Sequence, residues 1–177
     1  MNKKEFSKNC LSQALIELLE EHEYQDISIQ DIVDKAGFSR MAYYRNFKEK
    51  SEVLEFYVHN IFSTFVKEKN LTFKYMGPEK FYSTLFNFFS SEAIVKMTRL
   101  FIKRNLVGYL YNEFIKLNHG GFVPNQSDYF YSYIAGGFFA VLLTWVKNGL
   151  KESPEEMAAE ATRVTNTLMN KVNQADQ

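Results

Sequence analysis

The sequence predicts an all-α chain. Three observations carry that reading: the 177 residues include only three prolines (Pro78, Pro124 and Pro154), glycines are few, and apolar residues recur at helical spacing over long segments without repeats or low-complexity tracts. The first helix is expected from about Lys4 to His22, where Phe6, Cys10, Leu11, Ala14, Leu15, Leu18 and Leu19 form one apolar stripe opposite a charged face. Ser28 followed by Asp31 resembles a capping box with Asp in place of Glu. A short second helix therefore starts at Ile29 and buries Ile29, Ile32, Val33 and Ala36. Gly37 ends it by supplying the positive φ of a helix C-terminus, and Ser39 caps a third helix, Arg40 to about Asn46. Two short helices joined by so tight a turn make a helix-turn-helix, which presents its second helix to the DNA major groove.

Lys48 to Ser51 interrupt the pattern. A long helix follows to about Asn70, with Val53, Leu54, Tyr57, Val58, Ile61, Phe62, Phe65 and Val66 on one side. Further helices are expected near Pro78–Phe89, Glu92–Lys103, Asn105–Leu117, Ser127–Asn148 and Pro154–Val172, and His119–Gln126 reads as a loop from its glycines and proline. Ser153 as cap, Pro154 at the first helical position and Glu156 three residues after the cap mark the last helix start clearly. Met157, Ala161, Val164, Leu168 and Val172 then form a stripe.

The formal net charge is zero, with 21 basic and 21 acidic residues, which by itself speaks against a phosphate-rich partner. The distribution reverses that inference. From Glu17 to Asp34 every charged residue is acidic, whereas from Lys35 to Lys50 five cations (Lys35, Arg40, Arg45, Lys48 and Lys50) stand against Glu49. Basic charge is concentrated on the third helix. The single cysteine, Cys10, excludes an intrachain disulfide, and the start MNKKEFSKNC lacks the apolar segment of a secretory signal, so a cytoplasmic location is expected. Tyr129–Val146 is uncharged and approaches the length of a membrane span, about 17 residues at the least. Ser132, Gly136, Gly137 and the tyrosines within it, with the amphipathic segment that follows, favour burial in a helix bundle instead, and no membrane partner is expected. His22, His59 and His119 lie far apart, and neither a phosphate loop nor a nucleophile elbow is present. No enzymatic activity, metal or cofactor is expected.

The run SIQDIVDKAGFSRMAYYRNFKEKSEVL resembles the DNA-binding region of the TetR family of bacterial transcriptional regulators. The family pattern has a capped helix, Ala-Gly, an aliphatic or aromatic residue, Ser, a recognition helix ending in an aromatic pair, and a Lys opening the linking helix. It maps to Ser28, Ala36, Gly37, Phe38, Ser39, Tyr44, Phe47 and Lys50. Where the family often has Leu-Tyr-X-His-Phe, this chain has Tyr43, Tyr44, Arg45, Asn46 and Phe47, so Tyr43 stands for an aliphatic core residue and Asn46 for a histidine. The Tyr-Arg-Asn-Phe form and the run YIAGGFFAVLLTWVKNGLKESPEEMA are similar to a subset typical of low-GC Gram-positive bacteria. The resemblance implies a three-helix helix-turn-helix DNA-binding domain, residues 1–48, followed by a helical regulatory, ligand-binding and dimerisation domain, residues 49–177. It implies a repressor that binds a palindromic operator in double-stranded DNA as a homodimer and is released by a small hydrophobic or aromatic effector. The alternative is a co-regulator that acts through a protein partner without operator binding of its own.

Within the third helix, Tyr43 and Phe47 are four apart and share a face suited to pack on Val33 and the first helix, while Arg40, Met41, Tyr44 and Arg45 project outward. Arg40 suits a guanine edge or a phosphate, Tyr44 a phosphate oxygen, and Lys48 and Lys50 further phosphates at the next helix start. The expected DNA-binding set is Ser28, Gln30, Ser39, Arg40, Met41, Tyr43, Tyr44, Arg45, Asn46, Lys48 and Lys50. Lys3, Lys4 and Lys8 read as a solvated terminus. A ligand pocket is expected among Phe62, Phe65, Phe86, Phe89, Arg99, Phe101, Asn105 and Tyr109, and a dimer interface at Phe138, Leu142, Trp145, Val164 and Leu168.

Overall fold

Capping chemistry sets the first helices. Asn2 accepts a hydrogen bond from the Glu5 amide at 2.8 Å and opens α1 (Lys3–Glu21). Ser28 and Asp31 form the reciprocal capping box of α2 (Ile29–Ala36): the Asp31 amide donates to Ser28 Oγ at 3.2 Å and the Ser28 amide to Asp31 Oδ2 at 2.8 Å. The Ser28 hydroxyl first, and then the Ser28 amide, donate to the Asp31 carboxyl and hold it below its ordinary range. Gly37 closes α2 at φ 70° and ψ 33°, in the left-handed region where a side chain would be strained. Ser39 accepts from the Ala42 amide at 3.2 Å and starts α3 (Arg40–Tyr44).

The computed structural model describes residues 2–71, 73–118 and 128–175, and every regular element among them is helical. After α3 come α4 (Lys50–Lys69), α5 (Phe73–Phe89), α6 (Glu92–Lys103), α7 (Val107–Asn118), α8 (Asp128–Lys147) and α9 (Pro154–Ala175). The expected loop His119–Gln126 and the Val172 side chain lie outside the described residues. Three differences from the expected elements have local causes. The third helix stops at Tyr44 because the Asn46 and Phe47 amides both turn back to the Tyr43 carbonyl, at 2.8 and 2.9 Å. α5 begins before Pro78 and is broken at Gly77, φ 73° and ψ 165°, after which proline restarts it. Asn105 ends α6 in the left-handed region (φ 56°), so α7 starts two residues later than expected. A 3₁₀ turn at Tyr24–Asp26 was not legible in the pattern.

The chain forms two compact units, Met1–Thr64 with Leu100–Glu113, and Phe65–Arg99 with Phe114–Gln177. In the first, α1 packs on α2 and α2 on α3, around Leu11, Leu15, Leu19, Ile32, Val33, Tyr43, Phe47, Val53, Leu54 and Val58, all buried. Ile29 and Ala36 are only half-buried. The motif ends near residue 48, whereas the packing unit continues through the first turns of α4 and takes in Leu100–Glu113. In the second unit α5 packs on α9, and aromatic rings fill the interior. Phe86 meets Phe138 and Trp145 edge-on at 5.4 and 5.3 Å, and Phe114 stacks on Phe138 at 5.7 Å. The buried Trp145 indole donates to the Glu152 carbonyl at 3.0 Å, which satisfies its one polar group. Among the described residues no helix is long and apolar enough to cross a membrane.

Candidate nucleic-acid interface

Two rings anchor α3 from beneath. Tyr43 is 0% exposed, lies edge-on to Tyr44 at 5.5 Å and sits 5.9 Å from Phe47, which in turn packs on Phe56 at 5.8 Å. Tyr43 was expected in the DNA-binding set, but in this structure it offers no surface to a partner. Burial, reinforced by Tyr44, Glu52 and Glu49, pushes its hydroxyl up to about 12, and that hydroxyl has no hydrogen-bond partner among the described residues. Lys8 is also not simply solvated, because its ammonium lies 5.1 and 4.9 Å from the Phe47 and Phe56 ring centres.

With the inner face held, the outer face carries Arg40, Met41, Tyr44, Arg45 and Lys48, all exposed. Arg40 makes no intramolecular hydrogen bond or ion pair among the described residues. Arg45 Nε donates to the Met41 carbonyl at 3.3 Å, which draws its guanidinium along the helix. The Lys48 amide donates to Glu52 Oε2 at 2.8 Å and caps α4, leaving the ammonium outward. Four other expected residues are occupied locally. The Ser28 hydroxyl donates to Asp31 at 2.7 Å, the Gln30 amide to Asp34 at 2.8 Å and the Asn46 amide to the Ala42 carbonyl at 2.7 Å, while Ser39 caps α3. Ser28, Gln30 and Ser39 remain exposed beside α3, whereas Asn46 is half-buried.

Lys50 departs most from expectation. Its ammonium donates to the carbonyls of Tyr24 and Ile27 and lies 4.2 Å from the Tyr24 ring centre, so it closes the turn between α1 and α2 instead of facing phosphate. The reason is local: the Tyr24 and Ile27 carbonyls lie at the 3₁₀ turn, and the first residue of α4 brings a cation to both. Burial lowers the lysine's pKa, opposed by Asp26 and Asp31.

Arg104 has a structural role that the sequence reading missed. Its Nε donates to the Leu19 carbonyl at 2.7 Å, Nη2 donates to the Glu20 carbonyl at 3.0 Å, and Nη1 pairs with Glu23. The last turn of α1 has no basic residue, so its C-terminal carbonyls and acidic side chains need a cation from elsewhere. That deficit was the available signal. The same segment ties into the first unit through a Tyr109–Tyr24 hydrogen bond and a 2.6 Å bond between His59 and the buried Glu113. Burial first, and then the Tyr109 bond, push the Tyr24 hydroxyl above its ordinary range.

The residues expected to line a ligand pocket divide between the units: Phe62, Phe101, Asn105 and Tyr109 belong to the first, Phe65, Phe86, Phe89 and Arg99 to the second. The five phenylalanines are buried core, Tyr109 is half-buried, and Arg99 and Asn105 are exposed. The second unit does hold an apolar groove of about 330 Å³, whose lining includes Tyr82, Phe138, Val141, Met157, Val164 and Leu168. At its wall the Tyr82 hydroxyl and Thr165 Oγ1 are hydrogen-bonded at 2.7 Å. Of the expected interface residues, Phe138, Val164 and Leu168 line this groove. Leu142 and Trp145 are each 2% exposed and belong to the interior beneath it, a correction that follows from their packing on the inner face of α8.

Residues 11–56 match the family described as bacterial regulatory proteins, tetR family, and residues 70–167 match the family described as transcriptional regulator C-terminal region. Solved structures share the architecture. The dihydroxyacetone kinase operon activator DhaS is 17% identical, with a TM-score of 0.55 over 94% of this chain and 96% of that one. The TetR family repressor AlkX from Dietzia sp. strain DQ12-45-1b, implicated in biodegradation of n-alkanes, is 16% identical, with a TM-score of 0.55 over 93% and 95%. The fatty acid degradation regulator FadR from Bacillus halodurans is 18% identical, with a TM-score of 0.54 over 93% and 95%. At these identities the likeness is one of fold. No curated protein sequence matches the chain.

Proposed function

The chain belongs to the TetR family of DNA-binding transcriptional regulators, and from that premise we propose that it represses transcription by binding a palindromic operator as a homodimer. The observation that carries this reading is the outer face of α3, where Arg40, Met41, Tyr44 and Arg45 stand exposed above a fully buried Tyr43–Phe47 base. Arg40 and Met41, in the first turn, address base edges, whereas Tyr44, Arg45 and Lys48 address phosphates and set the register. One helix of this length reads too few base pairs for useful specificity, so two copies are required.

The second copy joins through α8 and α9. Tyr133, Val141, Val164 and Leu168 are exposed apolar residues on these helices, and together they offer a face that a two-fold partner would cover. In this reading residues 1–48 read DNA and residues 49–177 dimerise and respond to a small hydrophobic or aromatic effector. AlkX and FadR carry names tied to n-alkanes and fatty acids, which supports an apolar effector class. α4 leads out of the reading segment, so an effector that binds one arrangement of α4 more tightly shifts the two recognition helices from their spacing of about 34–36 Å. In this reading the protein works in the cytoplasm, and its Tyr-Arg-Asn-Phe form supports membership of the low-GC Gram-positive subset.

Incubating the purified protein with fragments of genomic DNA tests the reading. The expected result is capture of a small set of fragments that share a palindrome, with affinity falling steeply as salt rises. A dimer that shows no preference for any fragment over random DNA would overturn operator binding in favour of action through a protein partner.

A further inference from the structure

The first turn of α3 pairs two unlike side chains. Arg40 is exposed and makes no ion pair among the described residues, and Met41 is 74% exposed, the most exposed large apolar residue among the described residues of the first unit. The Met41 backbone is pinned, because its carbonyl accepts from Arg45 Nε at 3.3 Å and Ser39 holds the neighbouring Ala42 amide at 3.2 Å. Three residues on, the Tyr44 ring is fixed edge-on against Tyr43. The thioether chain, like the Arg40 guanidinium, stays exposed. It stands among Arg40, Arg45 and Lys48, in a segment whose one acid from Lys35 to Lys50 is Glu49.

Arg45 and Lys48 on this face suit phosphate oxygens and Arg40 a base edge, and a neutral chain placed among them adds nothing to those polar contacts. An apolar side chain needs an apolar partner. In the major groove the standard bases display one such group, the C5 methyl of thymine, and the N-terminal residues of a recognition helix are those that reach base edges. Methionine, unbranched and polarisable, can close over a methyl from a range of approaches.

We propose that Met41 is a specificity-determining residue that packs on the C5 methyl of a thymine at one position of each operator half-site. This rests on the operator-binding reading above. The test uses the full-length protein and an operator duplex selected from genomic fragments, with each thymine replaced in turn by deoxyuridine, which removes only the methyl. One thymine per half-site is expected to weaken wild-type binding about fourfold on losing its methyl, the equivalent of about 0.8 kcal/mol for one methyl-sized group. Met41→Ala should bind the unmodified duplex more weakly and bind the thymine and deoxyuridine forms equally, while Met41→Leu should retain the discrimination. A flat scan with the wild type, or discrimination that survives in Met41→Ala, overturns this inference alone. A wild-type protein that selects no duplex overturns the operator reading and this inference together.

Discussion

Tyr43→Phe should stabilise the protein. The Tyr43 hydroxyl has no exposed surface and no hydrogen-bond partner among the described residues, so folding strips it of water without returning a bond. A buried, unpaired hydroxyl costs about 1–3 kcal/mol in proteins. Phenylalanine keeps the ring, with its contacts to Tyr44 at 5.5 Å and Phe47 at 5.9 Å, and leaves only a small void where the oxygen was. The net gain is therefore about 1 kcal/mol, measured as a higher midpoint of urea unfolding with unchanged slope. A pH series provides a second arm. The hydroxyl ionises near 10 when unfolded and near 12 when folded, so the unfolded state sheds its proton first and stability falls as pH rises through that window. Phenylalanine removes that part of the decline. A variant less stable than the wild type by about 1 kcal/mol, with the same alkaline decline, would refute the reasoning and show that the hydroxyl has a partner in solution.

Three further predictions follow from the same geometry. Arg104→Ala deprives α1 of its cation and leaves two carbonyls and Glu23 unpaired, which should cost about 2–4 kcal/mol by urea unfolding. Arg104→Lys should recover only part of this, since an ammonium cannot span the fork. Lys48→Ala should lower the salt slope of operator binding by about 1, whereas Lys50→Met should destabilise the fold and leave that slope unchanged, because its ammonium already serves Tyr24 and Ile27. Val164→Asp should give a folded monomer by sedimentation, while Trp145→Asp, which buries a charge, should abolish folding as followed by circular dichroism.

What the sequence made legible was local. Ser28 with Asp31, Gly37, Ser39 and the Ser153–Glu156 pair each act within a few residues, and each does in the structure what its spacing predicts. The inward Tyr43–Phe47 face was legible for the same reason. Long-range polar pairing was not. Arg104 meets a carbonyl 85 residues away and Lys50 one 26 residues away, and no periodicity encodes which distant backbone groups lack partners. α8 shows a different limit, because a helix apolar on every side does not declare which side is covered. Leu142 and Trp145 therefore read like Tyr133 and Val141, although the first pair lies inside and the second outside. The ligand-pocket set divides between the two units, and its five phenylalanines are buried, because abundant phenylalanine marks a core as readily as a cavity.

In the proposed function α3 reads DNA in pairs. A nucleotide-resolution footprint of a captured operator, made with the wild type and with Arg40→Ala, tests it most directly. Two protected half-sites related by a two-fold axis are expected, with centres about 34–36 Å apart or a multiple of that. Arg40→Ala should weaken protection by about 1–3 kcal/mol and relax base preference at one symmetric position in each half. A single unsymmetric footprint, or one indifferent to Arg40, would contradict it.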